Sequence, residues 1–170
     1  LGLIGSGSMK PNLLREHINK VRSLTSNSFG VNIPLSRGDV DDLINVVLEE
    51  KVKIIFTSSG SPEKFTNILK KNGCVVVQVV SNVKQAKKSE LAGCDAVVAE
   101  GYEAGGHNGK DELTTFSLVP QVVDSVNIPV IAAGGIADGR GMLAAFSLGA
   151  SGVQIGTLFA ASEESSAHIN

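Results

Sequence analysis

The chain has 170 residues, of which 42% are apolar and 19% charged, and a net charge of -2. That length suits one domain with a sizeable core, and the composition excludes a disordered chain. The charge gives no electrostatic basis for a nucleic-acid or acidic-membrane partner, and with no Trp and 4% aromatics the chain has little to stack on single-stranded bases.

The first apolar run, Leu1–Gly5, has no basic segment ahead of it and does not read as a signal peptide. Further runs follow at Phe29–Ile33, Lys53–Thr57, Cys74–Val80, Ala96–Glu100, Pro129–Ala133 and Gly152–Ile155. All are short of the roughly 20 residues needed to span a bilayer, so no membrane partner is expected. They are Val- and Ile-rich and apolar throughout, as parallel strands covered on both faces are. Between them lie stripes of helical period: Leu14, Ile18 and Val21; Val40, Leu43, Ile44 and Val47; Val119, Val122, Val123 and Val126. Pro62 and Pro120 suit first turns, while Gly73, Gly93 and Gly149 suit helix ends. His17 falls on the first helix and His168 in a terminal helical remnant, both read as structural or solvent-facing. Cys74 and Cys94 open two strands without metal-ligand spacing, which suits buried small side chains and a reducing, cytoplasmic setting.

Repeated β-α units build either a closed (β/α)8 barrel or an open doubly wound sheet. Polar or glycine-rich loops follow nearly every strand here, from Gly5-Ser6-Gly7 to Gly156-Thr157. A barrel mouth uses all its βα loops, whereas an open sheet gathers function at one switch point, so the barrel is expected. Seven strands are counted instead of eight. The expectation is a single α/β TIM-barrel domain over 1–170 that is truncated, without a first strand and part of the last helix. An unpaired apolar edge promotes association or disorder, and a homodimer is among the expectations.

Gly134-Gly135 and Gly156-Thr157 follow the last two strands, where barrels commonly hold a phosphate on backbone N–H groups. A side chain there would keep phosphate oxygens off the amides. Tight turns explain one such pair; two in matching strand positions point to a phosphate. Asp138 reads as the cap of the next helix and Arg140 as a solvated first-turn residue. His107 alone among the histidines lies in a strand-end glycine loop, and imidazole is the side chain most often used to exchange a proton in catalysis. Glu100 ends its strand and either binds cofactor hydroxyls or pairs with a neighbouring amide. Asn32 offers an amide that both donates and accepts, which suits a flavin edge.

The segments GLIGSGSM at Gly2–Met9, FGVNIPL at Phe29–Leu35, AEGYEAGGH at Ala99–His107, IPVIAAGGIADGRG at Ile128–Gly141 and GVQIGTLF at Gly152–Phe159 occur in this order. Together they resemble the flavin-dependent family that joins enoyl-acyl-carrier-protein reductase II and nitronate monooxygenase. The resemblance implies an FMN-binding barrel in which Gly134, Gly135, Gly156 and Thr157 hold the FMN phosphate. Asn32 and Glu100 would contact the flavin or its ribityl chain, Gly105 would also touch the cofactor, and His107 matches the catalytic histidine. The text around Gly5–Leu35 and Leu113–Gly141 is similar to the reductase branch. The implied reaction is reduction of trans-2-enoyl thioesters on acyl carrier protein in fatty acid synthesis, with NADH or NADPH as electron donor. The alternatives are oxidation of alkyl nitronates with O2, a non-catalytic barrel remnant, and a flavin-free phosphate-binding barrel enzyme. Leu158 stands where the family usually has arginine, and the loop NGKDELTT after His107 is longer than the usual reductase form.

Overall fold

A computed structural model describes residues 1–165, so His168 lies outside the described residues. Strands and helices alternate as the periodicity predicts. In order they are β1 (Gly2–Gly5), α1 (Pro11–Leu24), β2 (Phe29–Pro34), α2 (Val40–Glu49), β3 (Ile54–Ser58), α3 (Glu63–Lys71) and β4 (Val75–Val80). There follow α4 (Val83–Leu91), β5 (Ala96–Glu100), α5 (Thr115–Val123), β6 (Val130–Ala133), α6 (Gly139–Ser147), β7 (Gly152–Gln154) and α7 (Thr157–Ala160). They form two compact units, Leu1–Val79 with Leu91–Asp95, and Val80–Glu90 with the chain from Ala96 onward.

In the first unit β1, β2, β3 and β4 pair in parallel, each strand beside the next in sequence. Val31, Ile33, Ile55 and Val76 are fully buried on the strands, under Leu14 and Ile18 of α1, Leu43 and Val47 of α2 and Leu69 of α3. Each such side chain contributes about 1.5–3 kcal/mol by leaving water. On the outside, Arg15 pairs with Glu49 and Glu50, and Arg22 with Glu50, joining α1 to α2. The exposed Arg15–Glu49 pair adds little, whereas Glu50 is largely shielded from solvent.

In the second unit β5, β6 and β7 pair in parallel, with Glu100 beside Ala133 and Ala133 beside Gln154. The strands therefore end level, and the loops that follow them leave from one line. Val97, Ala99, Leu118, Val119, Val122, Val130 and Ala132 form the core of this unit. Gly73, Gly93 and Gly149 follow α3, α4 and α6 at φ of 72°, 88° and 93°, as helix ends predict. Val126 lies past the end of α5 but packs on the same core as the valines before it.

Pro120 departs from the sequence expectation. It lies inside α5 and not in its first turn. Its missing N–H leaves the carbonyl of Phe116 without a helical donor, and Phe116 is 71% exposed, so water can serve that oxygen. Cys74 and Cys94 are free and buried, as expected. No helix among the described residues is long and apolar enough to cross a membrane.

Candidate functional site

Within the second unit, three loops leave the level ends of β5, β6 and β7. The β5 loop is closed at its base, where the Tyr102 N–H donates to Leu113 O at 2.8 Å. Inside it the Asn108 amide donates to Tyr102 O at 2.8 Å and Ala104 O at 2.9 Å. Its outer side is held by Asn82, whose amide donates to Asp111 at 2.7 Å. Such compact, self-packed loops are frequently functional. His107 is exposed on this loop, and its imidazole has no hydrogen-bond partner among the described residues. The ring is thus free to meet a ligand, on a backbone pinned on either side.

The β6 loop begins at Gly134, with φ of 109°, and Gly135, with φ of 68°. Gly134 is buried and Gly135 exposed. A Cβ on Gly134 would stand 2.6 Å from Thr115 Oγ1 and 3.0 Å from Gly101 O, so this position admits only hydrogen. The β7 loop brings Gly156 and Thr157 beside the β5 loop: a Cβ on Gly105 would lie 3.5 Å from Thr157 Oγ1. The N–H groups of Gly135, Gly156 and Thr157 meet no acceptor among the described residues. These are the free backbone donors and the bare surface that an anion cradle needs.

Two neighbouring helix starts are already occupied. Asp138 caps α6 by accepting from the N–H groups of Arg140 and Gly141, and hydrogen bonds from Arg140 hold its carboxyl below the usual carboxylate range. Arg140 points into solvent, as the sequence suggests. Glu103 serves α5 in the same way, accepting from Thr115 N at 2.8 Å.

Glu100 ends β5 with its carboxyl half-buried, and burial pushes its pKa up. No neighbouring amide reaches it, so of the two roles open in the sequence the pairing one is absent among the described residues. Beside the same sheet end, Gln154 Oε1 is buried without a donor. Sequence reasoning passed over Gln154, although a glutamine inside an apolar strand is a readable signal. It also passed over Thr115 and Glu103, whose contacts are made across a loop.

In the first unit, Asn32 ends the pairing of β2 with β1, level with Gly5 and Phe56, while β2 stays paired with β3 through Pro34. Its carbonyl oxygen accepts from Ser6 Oγ at 2.6 Å, and its amide donates to Ser58 Oγ at 3.3 Å. Asn32 Oδ1 is buried without a donor. Arg37 braces the loop after β1 by donating to Gly7 O and Met9 O, while a bidentate contact lowers the pKa of Asp39. Thr57 donates to Gln78 Oε1 at 2.5 Å in a buried pair.

The residues present fit an FMN group by two tests. In the second unit the glycine loops offer unpaired amides over a surface that a Cβ would fill, and Gln154 keeps a buried acceptor with no donor among the described residues; in the first unit, taken by itself, Asn32 keeps another. A buried polar atom left unpaired costs about 1–3 kcal/mol, which a bound polar group can relieve. No cluster of three His, Cys, Asp or Glu suited to a metal occurs among the described residues.

Parallel β-α units with glycine-rich and histidine-bearing loops at the strand ends define a β/α scaffold of the barrel type. The profile of the nitronate monooxygenase family matches residues 40–169. A probable nitronate monooxygenase of Staphylococcus aureus is 37% identical over 211 positions, covering 98% of this chain and 59% of the relative. FabK of Thermotoga maritima is 55% identical, with a TM-score of 0.95, over 99% of this chain and 53% of that one. Nitroalkane oxidase of Streptomyces ansochromogenes is 28% identical, with a TM-score of 0.89, over 98% and 60%. The chain belongs to the nitronate monooxygenase/FabK family of FMN-dependent TIM-barrel oxidoreductases. It spans little more than half the length of these relatives and is a partial barrel.

Proposed function

We propose that this chain carries the active-site half of an FMN-dependent reductase of trans-2-enoyl thioesters borne on acyl carrier protein, drawing electrons from NADH or NADPH in a cytoplasmic setting. One observation carries the choice within the family. FabK matches 99% of the chain at 55% identity, whereas the alignment to the S. aureus nitronate monooxygenase runs over 211 positions against 98% of 170 residues. That leaves roughly 44 positions the chain does not fill, from 211 less about 167. Large internal differences fall in loops, and loops shape the mouth of a barrel.

In this reading Gly134, Gly135, Gly156 and Thr157 hold the FMN phosphate through their backbone, and Gly105 of the β5 loop also touches the cofactor. Glu100 and Asn32 bind the remaining polar edge of the cofactor. Bound FMN supplies the redox chemistry, passing hydride equivalents between nicotinamide and substrate. His107 holds or moves a proton at the thioester carbonyl oxygen, where negative charge gathers during reduction. Its exposed ring suits a group that meets the substrate from the mouth.

Anaerobic mixing of NADH with the FMN-reconstituted chain, followed by flavin absorbance, tests this reading. Rapid bleaching supports the reductase. Bound flavin that stays oxidised with both NADH and NADPH, yet bleaches with an alkyl nitronate, sustains the second reading, which the name of the S. aureus relative favours. Flavin that does not bind marks a non-catalytic remnant.

A further inference from the structure

Thr115, the first residue of α5, is buried, and its hydroxyl stands among three acceptors. They are Gly134 O at 2.9 Å, Glu103 Oε2 at 3.0 Å and Ala133 O at 3.3 Å. The hydroxyl has one proton to give. Glu103 already accepts from Thr115 N and is exposed to water, and Ala133 O already accepts from Gly101 N at 2.9 Å. Gly134 O has no other donor among the described residues, and Gly134 is buried. The proton therefore belongs to Gly134 O.

That assignment fixes more than one hydrogen bond. The peptide joining Gly134 to Gly135 is planar and trans, so its C=O and N–H point in opposite directions. With the carbonyl drawn inward to Thr115, the Gly135 N–H is turned outward, at an exposed residue where it meets no acceptor. Glycines at both ends of this peptide would otherwise leave its plane free to turn. Close packing reinforces the hold, because a Cβ on Gly101 or Gly134 would stand 2.1 Å or 2.6 Å from Thr115 Oγ1.

We infer that Thr115 is a positioning residue that aims the Gly135 N–H at the phosphate of FMN, an inference that rests on the phosphate-cradle reading above. The test compares FMN with riboflavin, which has the same ring and ribityl chain but no phosphate. Both are titrated against the full chain and its Thr115→Val and Thr115→Ser variants, with flavin fluorescence as the readout. Thr115→Val keeps the side-chain shape and removes the hydroxyl. It should weaken FMN binding roughly tenfold, the scale of one hydrogen bond left unmade, and leave riboflavin binding unchanged. Thr115→Ser restores the hydroxyl and should restore FMN binding. Equal losses for both flavins, or no loss for either, overturn the inference while a wild-type preference for FMN keeps the cradle. A wild-type chain that binds no flavin, or does not prefer FMN to riboflavin, overturns both. Should Thr115→Val fail to fold by circular dichroism, Thr115→Ala read against Thr115→Ser carries the same comparison.

Discussion

Gly134→Ala separates a glycine needed by the backbone from one needed only by a ligand. At φ of 109° an alanine is strained by about 1–3 kcal/mol. Its methyl would also press to 2.6 Å from Thr115 Oγ1, 3.0 Å from Gly101 O and 3.2 Å from Ala104 N. Two of these are backbone atoms fixed by their own hydrogen bonds, so relief requires loop movement, and overpacking of this kind costs about 1–3 kcal/mol more. The sum of about 2–6 kcal/mol is a large share of the 5–15 kcal/mol or so that holds a typical domain folded. Gly156→Ala is the control. At φ of -114° with nothing within 4 Å of the new methyl, it should stay within about 0.5 kcal/mol of wild type. Urea denaturation of the cofactor-free chain gives both numbers from the shift in midpoint at constant slope. A Gly134→Ala protein as stable as Gly156→Ala would refute the steric reasoning.

Three further outcomes are expected. His107→Ala should keep FMN affinity and stability while enoyl-thioester turnover falls at least roughly 100-fold, measured by steady-state NADH oxidation; unchanged turnover removes His107 from the reaction. Burial raises the Glu100 pKa, so at neutral pH the ionised carboxylate destabilises the fold, and the penalty disappears as pH falls through the raised value to the ordinary 4.5. Glu100→Gln should therefore raise Tm of the cofactor-free chain at pH 7 and not at pH 4; a gain equal at both would refute the burial argument. Burial pushes both thiols up, so Cys74 and Cys94 should resist a disulfide reagent at pH 8 until urea unfolds the chain, and fast labelling of the native protein would contradict their packing.

What was legible in the sequence was written locally. Strands covered on both faces leave unbroken runs such as Cys74–Val80 and Ala96–Glu100, and all seven appear as strands. The Asp138 cap was readable because a side chain reaches N–H groups two and three residues ahead. The start of α5 was missed although Thr114 is a favoured cap residue, because its side chain makes no cap hydrogen bond and the acceptor comes from Glu103, twelve residues upstream across the His107 loop. Pro120, favoured in first turns, draws the helix start downstream of Thr114, and the bond across the loop hid Thr115. Neighbouring residues in sequence cannot disclose a hydrogen bond closed by a loop.

The candidate site divides along the same line. Gly134, Gly135, Gly156 and His107 announce themselves by residue type beside strand ends, but the groups left unpaired emerge only from strand register. Glu100, Ala133 and Gln154 are level because β5, β6 and β7 pair without offset, and Asn32 is level with Gly5 and Phe56 for the same reason. Two of these side chains, Asn32 and Gln154, bury an oxygen with no donor, at about 1–3 kcal/mol each. A sequence under selection for stability alone would replace them with apolar residues of similar size. In the proposed reading the penalty is relieved when FMN supplies the missing partners, so the cost to the empty fold reappears as affinity. The atoms that weaken the cofactor-free chain are then the ones that bind.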